Sequence, residues 1–294
     1  MRPYVIVTPS WCPSAGVRVL HELCHELRSQ GLEAYLLITR DMSNGTAPLV
    51  NPAFHTPVIN GAMEAQWPRL QQEAITICPD SATPNEMGAK RVVRYVLGKE
   101  VPQPHDNPRE FRVYWSRAYP AQRRGDHRVL YLQPVDLGLF NDLNRPAPTQ
   151  DMLWIGKGGR YVGPDVPQGP QVVRLTYEWP ATRPALAAEL RKTRYLYTYD
   201  TLSSTNLEAI LCGGIVILKT MKYHAWDWTR RDIEATETGS GGYAFDETPY
   251  EIERAWATRG ELVENIRHHK AMFRQHLWEF VQASQRHFRT GTSS

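Results

Sequence analysis

The chain has 294 residues, and its 34 Lys and Arg against 31 Asp and Glu leave a formal net charge of only +3. Its length predicts one large domain or two of about 150 residues, and a hydrophobic content of 41% excludes wholesale disorder. The apolar runs are much shorter than the roughly 20 residues of a membrane-spanning helix, and we expect no signal peptide. Four widely separated cysteines indicate reduced thiols, so the sequence predicts a cytoplasmic protein.

A βαβ unit is predicted at the start of the chain. Residues 4–7 form a continuous apolar run, which is typical of a parallel strand covered on both faces. Apolar residues then recur at helical spacing over residues 17–27, and a second apolar strand follows at residues 34–38. Such a unit has a right-handed crossover and a parallel sheet. Further strands are predicted at residues 75–78, 112–115 and 129–132, and a helix at residues 88–97.

A second α/β half is predicted after residues 134–148, which contain three prolines and no helical period. Its strands are predicted at 152–155, 172–175, 195–199 and 214–218, with helices after Pro184 and over 206–212. One long helix is expected from Glu261 to Arg289. The predicted fold is therefore α/β with two Rossmann-like domains, residues 1–140 and 150–260, and a C-terminal helix within residues 261–294.

The segment from Tyr197 to Gly214 carries the clearest chemical signal. A strand ends at Asp200, a polar loop follows, and a helix is expected to begin near Thr205 with Glu208 in its first turn. Ligands of parallel α/β sheets bind at the carboxyl ends of the strands, where helix N-termini offer unpaired amides. Both carboxylates should therefore border one crevice. The amides expected to face an anion there are those of Ser204, Thr205 and Asn206.

The same residues also have a purely structural interpretation. Thr205-x-x-Glu208 matches a capping box, in which Glu208 only fixes the start of its own helix. Asp200 can likewise satisfy a turn. The spacing alone does not decide between a ligand site and a capped helix.

This segment resembles the acidic-x7-acidic motif of GT-B-fold glycosyltransferases. Asp200 stands in the first position, where glutamate is usual, and Glu208 stands in the second, before Ala209 and the turn Cys212-Gly213-Gly214. The resemblance implies two Rossmann-like domains that face a cleft and a C-terminal helix that crosses back to the N-terminal domain. It also implies that Glu208 binds the ribose hydroxyls of a nucleotide-sugar donor and that Asp200 contacts the transferred sugar or its phosphate surroundings.

Glycine-rich and basic segments resemble the same family in the expected order. Gly16 and Arg18 lie in a segment similar to the glycine turn at the first helix, which the phosphates approach. Gly156, Lys157 and Arg160 lie in a segment similar to the first strand and turn of the donor domain. There the resemblance implies that a basic residue faces the pyrophosphate.

A third similarity concerns the N-terminal half. Residues 77–80, with Asn85 and residues 88–97, resemble a segment of bacterial surface-polysaccharide glycosyltransferases. Residues 134–140 resemble the interdomain segment. Asp80 follows a predicted strand and is the candidate general base if the reaction inverts the anomeric centre. A retaining reaction needs no such base, and the sequence does not choose between the two.

The resemblance implies a nucleoside-diphosphate sugar as donor and no separate cofactor. No Asp-x-Asp motif is present, so no metal is expected, and amides with Lys157 and Arg160 would stabilise the leaving diphosphate. The favoured acceptor is a bacterial surface glycan or its lipid-linked precursor, with peripheral membrane contact through the C-terminal helix as an open alternative. Two further alternatives are hydroxymethylated DNA, as modified by phage glucosyltransferases of this fold, and a non-catalytic nucleotide-sugar-binding protein. A clean G-x-G-x-x-G after the first strand is missing, which disfavours an NAD enzyme.

Overall fold

The computed structural model describes residues 1–12, 14–42, 45, 48–54, 56–59, 65–82, 88–99, 109–120, 127–223 and 226–290. The chain divides into two compact units, one formed by residues 1–134 and 269–294 and the other by residues 135–268. The boundaries between the units follow Pro134 and His268. The sequence predicts the first domain to end at residue 140 and the second to span residues 150–260.

The first unit is built on one parallel sheet. Its strands are β1 (Tyr4–Thr8), β2 (Ala34–Ile38), β3 (Ile75–Pro79), β4 (Val92–Val96) and β5 (Phe111–Tyr114), with helices α1 (Ala15–Ser29) and α2 (Trp67–Glu73). The strand order is β2-β1-β3-β4-β5, and every neighbouring pair is parallel. The predicted βαβ unit is present, because α1 connects β1 to β2 and buries its apolar face.

Two predictions for this unit are wrong. Residues 88–97 do not form a helix, since Val92–Val96 are strand β4 between β3 and β5. The apolar spacing fitted a helix, but successive β-branched residues pack better in a strand covered on both faces. Residues 129–132 form no regular strand, and Val129 makes only an isolated bridge to Tyr114. Asn85 lies outside the described residues.

The second unit contains another parallel sheet. Its strands are β6 (Gln150–Trp154), β7 (Val172–Leu175), β8 (Thr193–Thr198), β9 (Ile215–Leu218) and β12 (Tyr243–Ala244). Between β9 and β12 the chain forms a separate antiparallel pair, β10 (Lys222–Tyr223) and β11 (Trp226–Asp227). The order is β12-β9-β8-β6-β7, with parallel pairing throughout. A 3₁₀ helix (Gly156–Tyr161) follows β6, and the α-helices are α3 (Arg183–Arg191), α4 (Ser204–Leu211) and α5 (Arg230–Glu234).

The last helix, α6 (Pro249–Thr290), contributes to both units. It begins earlier than the predicted Glu261, because the Thr248 side chain accepts a hydrogen bond from the Glu251 amide (3.4 Å) and Pro249 suits the first helical position. Its last part packs in the core of the first unit, where its buried apolar residues are Phe273, Leu277, Phe280, Val281 and Phe288. The predicted fold class, two parallel-sheet α/β domains with a C-terminal helix that returns to the N-terminal domain, is confirmed. Within the described ranges, no helix is both long and apolar enough to cross a membrane.

Candidate active site

Several polar and aromatic side chains meet at the carboxyl ends of β6, β7 and β8 in the second unit. The 3₁₀ helix follows β6, residues 176–182 follow β7, and Asp200 with the start of α4 follows β8. Parallel strands end at the same edge of a sheet, which is where α/β proteins bind ligands. The donor-binding residues are predicted from the sequence at this same edge.

Asp200 is 5% exposed, and the 3₁₀ helix lies directly against it. The Lys157 amide donates to Asp200 Oδ2 at 3.1 Å. Gly156 has a φ of +49°, and a Cβ there would lie 2.4 Å from Asp200 Oδ2. A Cβ on Gly158 would lie 1.8 Å from the Tyr199 carbonyl oxygen. Glycine is therefore required at both positions for the turn to approach the strand end this closely.

The Lys157 side chain reaches solvent beside this carboxylate. Its Nζ lies 3.4 Å from the Tyr223 hydroxyl on β10. Loss of hydration around the ammonium lowers the Lys157 pKa, but Tyr223, Asp200 and Tyr177 together raise it more, so the pKa lies above its ordinary value. The ammonium is therefore fully charged at neutral pH. Arg160, from the same 3₁₀ helix, is exposed, with its guanidinium 5.3 Å from the centre of the Tyr161 ring.

Aromatic rings form one wall of the site. Trp154, the last residue of β6, donates from Nε1 to Ser203 Oγ at 2.9 Å. Tyr177 packs nearly perpendicular to Trp154, with ring centroids 5.0 Å apart. Strand propensity predicts Trp154 only as part of β6, and Tyr177 belongs to no sequence motif, so neither is predictable as a site residue from the sequence.

Helix α4 begins at Ser204, with Ser203 as its N-cap. Ser203 Oγ accepts from the Thr205 amide at 3.3 Å, and the Ser203 carbonyl accepts from the Asn206 amide at 3.1 Å. These two amides therefore have partners within the helix start. The Asn206 side chain is buried and donates to the carbonyl oxygens of Asp200 (2.9 Å) and Thr201 (3.1 Å), so it fixes the loop after β8.

Glu208 is not in the first turn of α4, so the capping-box interpretation is wrong. Its carboxylate is fully buried and binds both terminal nitrogens of Arg183, with 3.0 Å between Nη1 and Oε2. Arg183 is the first residue of α3, and its guanidinium lies 4.5 Å from the centre of the Phe140 ring. A buried carboxylate requires a cation or several hydrogen-bond donors, but no pattern in the sequence identifies Arg183 as the residue that supplies them.

Gly16, Arg18 and Asp80 belong to the first unit. Asp80 is exposed at the end of β3 and accepts from the Leu97 amide at 3.3 Å. The Arg18 guanidinium donates to the Pro134 carbonyl oxygen. Among the described residues, a Cβ on Gly16 would meet only Leu97 Cδ1, at 3.5 Å, so their packing does not require glycine there. Among the described residues, no three His, Cys, Asp or Glu side chains are arranged to hold a metal ion.

No family model matches the chain, and no curated protein matches it significantly. Among solved structures, it is similar to a glycosyltransferase from Rickettsia africae ESF-5, with a TM-score of 0.56, 8% identity, and coverage of 99% of this chain and 100% of that one. It is also similar to the calicheamicin glycosyltransferase CalG4 (TM-score 0.49, 12% identity, 99% and 100% coverage). A third similarity is to an alpha-glucosyltransferase solved with UDP and a 13-mer DNA (TM-score 0.47, 13% identity, 96% and 95% coverage). The chain thus shares the fold of the Rickettsia africae glycosyltransferase structure, with two parallel-sheet α/β units and a C-terminal helix.

Proposed function

We propose that the protein is a glycosyltransferase that moves a sugar from a nucleoside-diphosphate sugar to a hydroxyl acceptor. The observation that carries this proposal is the arrangement of Asp200 and Lys157, in which a buried carboxylate is joined to a glycine turn that places an ammonium beside it. A carboxylate suits the hydroxyls of a sugar, and an ammonium suits a diphosphate. The fold shared with the Rickettsia africae glycosyltransferase structure supports the same interpretation.

The proposed chemistry follows from the charges that transfer creates. Positive charge develops at the anomeric carbon and negative charge on the departing diphosphate. Lys157, which stays protonated, stabilises that diphosphate together with Arg160. If the reaction inverts, Asp80 is the proposed base, since its carboxylate is exposed at the end of β3. If it retains configuration, the acceptor proton goes to the leaving phosphate and Asp80 has no catalytic part.

For the acceptor we propose a bacterial surface glycan or its lipid-linked precursor, because the motif resemblance favours it. Hydroxymethylated DNA is the alternative acceptor. Parallel assays with radiolabelled donor distinguish the two acceptors. One assay offers a polyprenyl-linked glycan and the other offers DNA with hydroxymethylated bases, and the two labelled products are recovered by different extractions.

A donor screen tests the proposed activity. Purified protein is mixed with UDP-, GDP- and dTDP-sugars, and thermal shift and slow donor hydrolysis are measured. We expect one nucleotide class to raise the Tm and its sugar donor to be hydrolysed. Asp200→Asn keeps an oxygen for the Lys157 amide and should lose hydrolysis while still binding the nucleotide. Nucleotide binding without turnover of any donor would favour the non-catalytic alternative.

Chelation is expected to leave turnover unchanged. The proposed stabilisation of the diphosphate comes from Lys157 and Arg160, which need no divalent ion. Hydrolysis is measured in EDTA and after addition of manganese or magnesium. Loss in EDTA with recovery on metal addition would contradict the metal-independent mechanism.

A further inference from the structure

Two aromatic side chains stand exposed on the loop that follows β7. Tyr177 is 65% exposed and Trp179 is 41% exposed. The loop itself is fixed by Thr176, whose Oγ1 accepts from the amides of Glu178 (3.2 Å) and Trp179 (3.0 Å). The Thr176 amide in turn donates to the Trp179 carbonyl at 3.0 Å. A large aromatic side chain that stays exposed contributes little to the stability of the fold. Because its loop is already fixed, it is preorganised to bind a ligand.

Tyr177 lies at the candidate active site. Its ring packs against Trp154, which Ser203 fixes at the start of α4. Partial burial raises the pKa of the Tyr177 hydroxyl, Asp200 raises it further, and Lys157 lowers it. The Tyr177 hydroxyl is therefore close enough to interact electrostatically with Asp200 and Lys157. The proposed function assigns Asp200 to the sugar and Lys157 to the diphosphate.

One face of the Tyr177 ring is available for stacking. The planes of Tyr177 and Trp154 meet at 73°, so Trp154 covers at most one face of Tyr177. A nucleotide sugar has three parts: hydroxyl-rich sugar, charged diphosphate and planar base. Asp200 and Lys157 suit the first two parts, whereas a planar apolar face suits the third.

We propose that Tyr177 stacks on the nucleobase of the donor and supplies much of the nucleotide affinity. This inference rests on the proposed function, because it takes the ligand to be a nucleoside diphosphate. It assigns to the loop after β7 a part in donor binding that neither the acidic motif nor the glycine turn provides.

The test compares four forms of the full-length chain: wild type, Tyr177→Ala, Tyr177→Phe and Tyr250→Ala. Tyr250 is 71% exposed on the first turn of α6 and is the matched control. Affinities for UDP, GDP, dTDP, ADP and pyrophosphate are measured by calorimetry. For the nucleotide that binds wild type best, we expect Tyr177→Ala to lose roughly 10-fold to 100-fold in affinity. Tyr177→Phe and Tyr250→Ala should retain wild-type affinity, and pyrophosphate should bind all four alike.

Three results would overturn the stacking role. One is unchanged nucleotide affinity in Tyr177→Ala. A second is an equal loss for pyrophosphate, which would show that Tyr177 only orders the site. A third is unchanged affinity for the nucleotide but weaker binding of its sugar derivative, which would assign the ring to the transferred sugar. Failure of every nucleotide to bind wild type would overturn the proposed function and the inference together.

Discussion

The ion pair of Glu208 and Arg183 determines how the acidic motif can be tested at the scale of single residues. Loss of a helix cap costs about 0.5–2 kcal/mol, but removing one partner of a buried ion pair costs about 3–5 kcal/mol. Glu208 is fully buried, whereas the Arg183 side chain is 40% exposed, so the cost should fall below that range. Glu208→Ala would therefore destabilise the protein, and its effect on donor binding could not be separated from that loss of stability.

The motif resemblance implies a ribose contact for Glu208, whereas the structure shows its carboxylate buried and held by Arg183. If the donor ribose does reach Glu208, Glu208→Gln should weaken nucleotide binding, because charge-assisted hydrogen bonds to hydroxyls are stronger than neutral ones. Glutamine preserves the volume at this buried position. Calorimetry with the preferred nucleotide and its 2′,3′-dideoxy form separates the roles: wild type should bind the dideoxy form more weakly, and Glu208→Gln should bind both alike. If wild type does not distinguish the two ligands, Glu208 has no ribose contact and only holds Arg183.

Lys157→Ala should weaken binding of diphosphates more than binding of the corresponding nucleoside. The Lys157 pKa lies above its ordinary value of 10.5, and a lysine is charged below its pKa. Its contribution to pyrophosphate binding should therefore stay constant as pH rises through the neutral and mildly alkaline range. Lys192, which pairs with Glu189 at the end of α3, provides the control Lys192→Ala. Equal pyrophosphate affinity of wild type and Lys157→Ala would remove Lys157 from the site.

At the scale of elements, continuous apolar runs predicted most strands of both sheets because a parallel strand is buried on both faces. Helical spacing of apolar residues wrongly predicted a helix that includes residues 92–96. A short apolar segment is compatible with both a helix and a strand until its neighbouring strands are known. Asp200 and Lys157 were predictable as neighbours because both follow strands of one sheet. Arg183 was not, because its contact with Glu208 depends on how α3 packs beside α4.

The approach of the 3₁₀ helix to β8 predicts a sharp difference between two adjacent glycines. A Cβ on Gly158 would overlap the Tyr199 carbonyl, whereas a Cβ on Gly159 would meet no atom of the described part of the chain within 4 Å. Gly158→Ala should destabilise the protein by about 1–3 kcal/mol, as overpacking does, and should weaken nucleotide binding by moving Lys157 away from Asp200. Gly159→Ala should change neither. Chemical denaturation and calorimetry measure both effects, and equal behaviour of the two variants would contradict the close approach.

At the scale of the whole molecule, α6 contributes to two cores. Its residues Leu262 and Ile266 are fully buried and belong to the second unit. Beyond His268 the helix belongs to the first unit, where Gln285 pairs with both the amide and the carbonyl of Arg2 at 2.9 Å. The first unit is therefore completed by a segment far from it in sequence, and the apolar face that could dock on a membrane is occupied in that core.

Removal of residues 269–294 should selectively unfold the first unit. Burial of each large apolar side chain contributes about 1.5–3 kcal/mol, and the truncation exposes five of them together with their partners, Tyr4 and Phe111 among them. Leu277→Ala tests the same contact more gently, with an expected loss of about 2–5 kcal/mol. The neighbouring Trp278 is 39% exposed, so Trp278→Ala is the control. Amide hydrogen exchange should show lost protection in β1 and β4 and retained protection in β8 and β9. A truncated chain that keeps its thermal stability but no longer binds liposomes would instead support the membrane-docking role of this helix.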